Sequence, residues 1–122
     1  MSAVPVPRFA PRGTHWLVDC YGVDALLLRD APTIEALLRD AARAAGAHVL
    51  SSHVHRFGDG AGVTGVVVLA ESHLTIHTWP EHGFAAIDLF LCGETEPERA
   101  IAHLESAWPD ARIVKTRHAR GA

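Results

Sequence analysis

A chain of 122 residues with a formal net charge of −3 is long enough for one domain that buries roughly 65% of its unfolded surface. Its eleven Lys and Arg are scattered, leaving no basic footprint for nucleic acid, and its longest apolar run, Val66 to Ala70, is far below the ~18 residues of a membrane helix. Cys20 and Cys92, in a chain without a secretory signal, read as reduced thiols of a soluble cytoplasmic protein, with no disulfide between them.

Met1 to Gly13 carries Pro5, Pro7 and Pro11 among small residues and offers little to bury, so it is expected to be a mobile tail. Thr14 to Tyr21 is apolar and aromatic enough for a first strand, stopped by Gly22, with Asp19 and Cys20 on opposite faces. A helix is predicted from the Asp30-Ala31-Pro32-Thr33 signal, with Thr33 as N-cap, through an apolar face of Ile34, Leu37, Leu38, Ala41, Ala42 and Ala45 to Gly46.

His48 to about Phe57 reads as a strand, and Gly58 to Gly62 as a flexible turn into a strand over Val63 to Ala70. His73 to Trp79 and Phe84 to Cys92 are two further strands. The break at Pro80 between them is short, so they should be antiparallel neighbours. Thr95-Glu96-Pro97-Glu98 has the spacing of a capping box ahead of Ile101, Leu104 and Trp108, and Ala111 to Thr116 is a last strand before a frayed tail from residue 118.

Hairpin-linked strands with two amphipathic helices give an α+β fold: a two-layer sandwich, an antiparallel sheet with both helices on one face, in a single domain over 14–117. The opposite face must be wet or covered by a partner. A chain this small is also poorly equipped to close a cleft alone, which favours an active site shared between subunits.

Chemistry concentrates in Leu69 to Cys92. Ser72 lacks the flanking glycines of a nucleophile elbow, which argues against a hydrolase of that kind. His73 and His77, like His53 and His55, alternate along strands and so share faces, but their spacing is not that of a closed zinc set, and no metal is expected.

The stretch AESHLTIHTWPEHGFAAIDLFLCG, with Glu71-Ser72-His73, Ile76 to Glu81 and Asp88-x-Phe90-x-Cys92-Gly93 in register, resembles the signature of the small prokaryotic S-adenosylmethionine decarboxylases. The likeness runs more weakly from about Gly13 to Arg117. It implies self-cleavage between Glu71 and Ser72, conversion of Ser72 into a pyruvoyl cofactor, and decarboxylation of S-adenosylmethionine for spermidine synthesis by a homodimer of processed pairs.

The residue types suit that chemistry. Decarboxylation leaves a carbanion that no ordinary side chain can absorb, so an electrophilic carbonyl is needed, and a neutral serine needs a strained turn and an acid-base group to attack its own backbone. The resemblance makes His77 the processing histidine and Thr64 the processing hydroxyl, where the family has a serine. It makes Cys92 the proton donor, a role suited to a thiol with an unperturbed pKa of ~8.5.

Phe57 and Trp79 correspond to aromatics expected to meet an adenine ring or a sulfonium, and Glu81, Asp88 and Asp19 are candidates for a substrate's positive charge. The chain departs from the family at Asp19-Cys20-Tyr21-Gly22-Val23, where Glu-Leu-Tyr-Gly-Cys is usual, and in a glycine turn after Phe57 that is one residue longer. Pyruvoyl-dependent decarboxylation of arginine or ornithine is therefore the alternative, and an unprocessed binding protein a third reading.

Overall fold

A computed structural model describes residues 10–121; of the tail expected over 1–13, residues 1–9 lie outside the described residues, and Gly13 belongs instead to the first strand, paired with Cys92 and Arg120. The elements are β1 (Gly13–Tyr21), α1 (Ala25–Leu28), α2 (Ala31–Ala44), β2 (Val49–Arg56), β3 (Val63–Leu69), β4 (Ser72–Trp79), β5 (Phe84–Cys92), α3 (Pro97–Ala107) and β6 (Arg112–Arg120). A single 3₁₀ turn, Pro80–His82, joins β4 to β5. The strands form one six-stranded sheet in the order β2-β3-β4-β5-β1-β6, with every neighbouring pair antiparallel. The expected α+β two-layer architecture is what forms.

Strand periodicity sorts the side chains. Val18 and Cys20 of β1, Val67 of β3, Leu74 and Ile76 of β4, and Ile87 and Leu89 of β5 point to the helices and are buried against Leu28, Ile34, Leu38 and Leu104. Each of these larger apolar side chains contributes about 1.5–3 kcal/mol by leaving water. One polar group in this layer is satisfied: the buried Thr78 hydroxyl accepts from the Val63 N–H at 2.9 Å and donates to the Leu28 carbonyl at 2.7 Å. Leu17, Tyr21, Val68, Trp79 and Val114 are on the other face and exposed.

Several boundaries differ from expectation. The cap of α2 is Asp30, not Thr33, because Pro32 already lies in the first turn. The expected stop is present, with Gly46 at φ 80° donating to the Arg43 carbonyl at 2.9 Å. Nor is there a capping box at α3: Glu96 is the cap without a side-chain bond, and the Thr95 hydroxyl instead donates to the Cys92 carbonyl at 3.2 Å. The last strand runs to Arg120, so 118–120, expected to fray, pair with His15 to Gly13. Short helix α1 has no counterpart in the sequence reading. No helix among the described residues is long and apolar enough to cross a membrane.

Candidate active site

The β3–β4 hairpin is closed by Ala70 and Glu71, with Leu69 opposite Ser72. Two-residue hairpin loops require left-handed backbone and so favour Gly or Asn, but neither loop residue is of that kind. The positive angle falls instead on Ser72, at φ 132°, and among the described residues it is the one non-glycine position in that region. Such a conformation costs on the order of 1–3 kcal/mol. It adjoins the nitrogen of the Glu71–Ser72 peptide.

The two-residue loop is held from two sides. The Glu71 carbonyl accepts the Cys92 N–H at 3.0 Å, and the Ala70 N–H donates to the His48 carbonyl at 3.0 Å. The Glu71 side chain is 4% exposed. Its carboxylate takes the His48 backbone N–H at 2.8 Å and meets the His48 Nδ1 at 2.6 Å. From the end of the neighbouring strand β5, Cys92 Sγ lies 3.6 Å from Ser72 Oγ. Hydroxyl, carbonyl and thiol thus converge on one peptide bond, with a backbone donor aimed at the oxygen that would become an oxyanion.

Thr64 and His77 are brought together but not to Ser72. They face each other in register, Thr64 Oγ1 to His77 Nδ1 being 3.0 Å. His77 is five positions from Ser72 along β4, which at strand rise is ~17 Å. Phe57 and Trp79 gather at the His77 end: the Phe57 ring is 4.8 Å from His55, and the Trp79 ring is 6.3 Å from His77 and 5.4 Å from Phe84. Asp19 lies in the same cross-strand row, opposite Ala86, which is itself opposite His77. Glu81 is on the exposed 3₁₀ turn beyond Trp79.

Between the two ends, Asp88 accepts from Thr75 at 3.2 Å and lies 3.5 Å from His15. Arg120 sits over the Phe90 ring at 4.8 Å. Burial and then the neighbouring His15 push the His73 pKa down, with Arg120 adding to this and Asp88 opposing it. Cys20 and Cys92 are both free. Burial, followed by the charges of Asp19 and Glu105, drives the Cys20 thiol up to about 12, which keeps it protonated and inert in the core. Among the described residues no three His, Cys, Asp or Glu side chains gather as metal ligands.

His48 was not singled out in the sequence. A lone histidine before a strand carries no signal of a partner that lies 23 positions away, and only the folded hairpin reveals it.

The family described as S-adenosylmethionine decarboxylase has a model that matches residues 14–121. An S-adenosylmethionine decarboxylase proenzyme of Thermotoga petrophila is 46% identical over 110 residues, covering 89% of this chain and 84% of that one. A proenzyme of the same name from Pyrobaculum aerophilum is 41% identical over 102 residues, covering 83% and 82%. The crystal structure of the adenosylmethionine decarboxylase from Aquifex aeolicus superposes with a TM-score of 0.82 at 42% identity, covering 90% of this chain and 91% of that one. Fold and relatives together define a decarboxylase, a carboxy-lyase built on a two-layer α+β domain. The chain belongs to the S-adenosylmethionine decarboxylase family.

Proposed function

We propose that the chain is a cytoplasmic proenzyme that cuts itself between Glu71 and Ser72, and that the pyruvoyl group so formed decarboxylates S-adenosylmethionine for spermidine synthesis. The observation that carries this reading is the strained Ser72, φ 132°, beside a Glu71 carbonyl already polarised by the Cys92 N–H at 3.0 Å. Strain next to the scissile nitrogen and a donor on the scissile oxygen both lower the barrier to attack.

The steps balance within the chain's own atoms and water. Ser72 Oγ adds to the Glu71 carbonyl carbon, the C–N bond breaks, and the hydroxyl proton passes to the Ser72 nitrogen, converting amide to ester. Loss of the Ser72 α-proton and of the Glu71 carboxylate then leaves dehydroalanine on the downstream chain. Water enters and ammonia leaves, giving the terminal pyruvoyl.

When present, that group supplies the electrophilic carbonyl that accepts the electron pair released with carbon dioxide. Cys92 holds a thiol proton at the site, its Sγ 3.6 Å from the atom position of Ser72 Oγ, and returns it to the substrate carbon. The backbone N–H of Cys92 is not altered by side-chain replacement, so Cys92→Ala should still cleave while turning over poorly.

His77 and Thr64 serve processing from a second copy. A separation of ~17 Å along one strand is far beyond the ~3 Å of proton transfer, so these groups cannot act on Ser72 of their own chain. A two-fold axis between two open sheet faces, running across the strands near Thr75, would set His77 and Thr64 of one protomer over Ser72 of the other. The exposed Leu17, Tyr21, Val68, Trp79 and Val114 on that face favour such burial. In this arrangement Phe57, Trp79, Asp19 and Glu81 line the substrate side of the shared site.

S-adenosylmethionine is preferred to arginine or ornithine because relatives named for it are 41% and 46% identical over most of the chain. Release of labelled carbon dioxide from the three compounds tests the choice. Turnover of S-adenosylmethionine alone, abolished by Ser72→Ala, is the expected result, and turnover of only the basic amino acids would overturn it.

A further inference from the structure

We infer that His48 is a positioning residue for self-cleavage, holding Glu71 so that its carbonyl stays in the path of the Ser72 hydroxyl. The inference rests on the proposed cut at Glu71–Ser72 but concerns a residue outside the stretch that carries the chemistry.

Glu71 is a charged side chain at the tip of a hairpin, where exposure is the ordinary state, yet it is 4% exposed against 59% for the His48 side chain. Burial of a carboxylate is tolerated only with partners, and both partners come from His48: its backbone N–H at 2.8 Å and its Nδ1 at 2.6 Å. The His48 carbonyl in turn takes the Ala70 N–H at 3.0 Å. One residue therefore grips both loop residues of the hairpin. On the other side the Cys92 N–H grips the Glu71 carbonyl.

With its side chain and its carbonyl anchored in opposite directions, the Glu71 peptide unit cannot rotate to relieve the strain at Ser72. The attacking hydroxyl and the reacting carbonyl are kept together. His48 also sets a proton donor against the Glu71 carboxylate. That matters because attack builds negative charge on the carbonyl oxygen of the same residue, and because elimination leaves Glu71 with a second carboxylate, at the new chain end. No further bond is made or broken by His48; it donates a hydrogen bond throughout.

The test follows cleavage of the full chain with time by denaturing gel and intact mass, in wild type, His48→Ala and His48→Asn. A hydrogen bond to a charged group removed at this point slows cleavage by about tenfold or more. Asn, whose amide N–H reaches the position of Nδ1, should restore the rate to within about threefold of wild type. His48→Phe, which keeps the ring volume without a donor, replaces His48→Ala if the latter does not fold, and should be equally slow. Cleavage of the donor-free variant at the wild-type rate, or of His48→Asn as slowly as the donor-free variant, would overturn the role. Failure of the wild-type chain to cleave at all would sink the proposed function instead, which separates the two.

Discussion

Mixing two inactive variants tests where the processing histidine comes from. His77→Ala keeps its own Ser72 but lacks the imidazole proposed for processing, and Ser72→Ala keeps His77 but lacks the hydroxyl proposed to attack. His77 and Ser72 of one chain are ~17 Å apart on β4, so each cleavage should depend on the other chain's histidine. At equal expression, random pairing puts about half of the His77→Ala chains opposite a Ser72→Ala partner. Those chains regain a complete site. The expected result is cleavage of about half of the His77→Ala chains, a quarter of all chains, after co-expression, and of none when either variant is expressed alone. Tags of different mass make the two populations separable on a denaturing gel. Absence of cleavage in the mixture would show that the histidine must reside on the chain it cuts, and full cleavage of His77→Ala alone would remove it from processing.

Other expectations follow from single residues. Ser72→Gly and Ser72→Ala should both stay uncleaved, but glycine tolerates φ 132°, so the glycine variant should resist urea by about 1 kcal/mol more than the alanine one; the reverse order would deny strain at this position. Cys20, buried with its thiol driven up to about 12, should stay unlabelled by iodoacetamide at pH 8 and become labelled in guanidinium, as peptide mass spectrometry would show. His73 has a lowered pKa in the folded state. The unfolded chain therefore binds its proton first, and stability should fall as pH drops from the ordinary histidine value near ~6.5 towards the folded value. His73→Gln should flatten that part of a melting-temperature profile. An unchanged slope would place the titration elsewhere.

Much of the fold was legible because burial follows period. Val18 and Cys20, Leu74 and Ile76, and Ile87 and Leu89 alternate as a half-buried sheet requires, and Ile34 to Ala45 repeat as a sheet-covering helix does. Local capping signals were weaker guides. Thr33 and Thr95 have the right chemistry for caps, but Pro32 shifted the start of α2 to Asp30, and Thr95 found the Cys92 carbonyl instead. The strand character of 118–120 was hidden because Arg112–Arg120 is mostly exposed, and its strand state comes from pairing with β1 rather than from an apolar pattern.

The site divides in the same way. Glu71, Ser72, His77 and Cys92 could be picked from one stretch of sequence, and counting five residues along a strand already separates His77 from Ser72. What the sequence could not disclose is which backbone groups meet across strands. The Cys92 N–H on the Glu71 carbonyl and the His48 clamp on the Glu71 carboxylate arise from pairings 21 and 23 positions apart, and no local pattern encodes either.

Intact mass of the purified chain, with a denaturing gel beside it, tests self-cleavage directly. Self-cleavage at Glu71–Ser72 predicts fragments of 71 and 51 residues, the smaller one blocked to N-terminal sequencing because it begins with a pyruvoyl group rather than an amine. A single chain of 122 residues persisting after long incubation, or a 51-residue fragment with a free N-terminal serine, would contradict it.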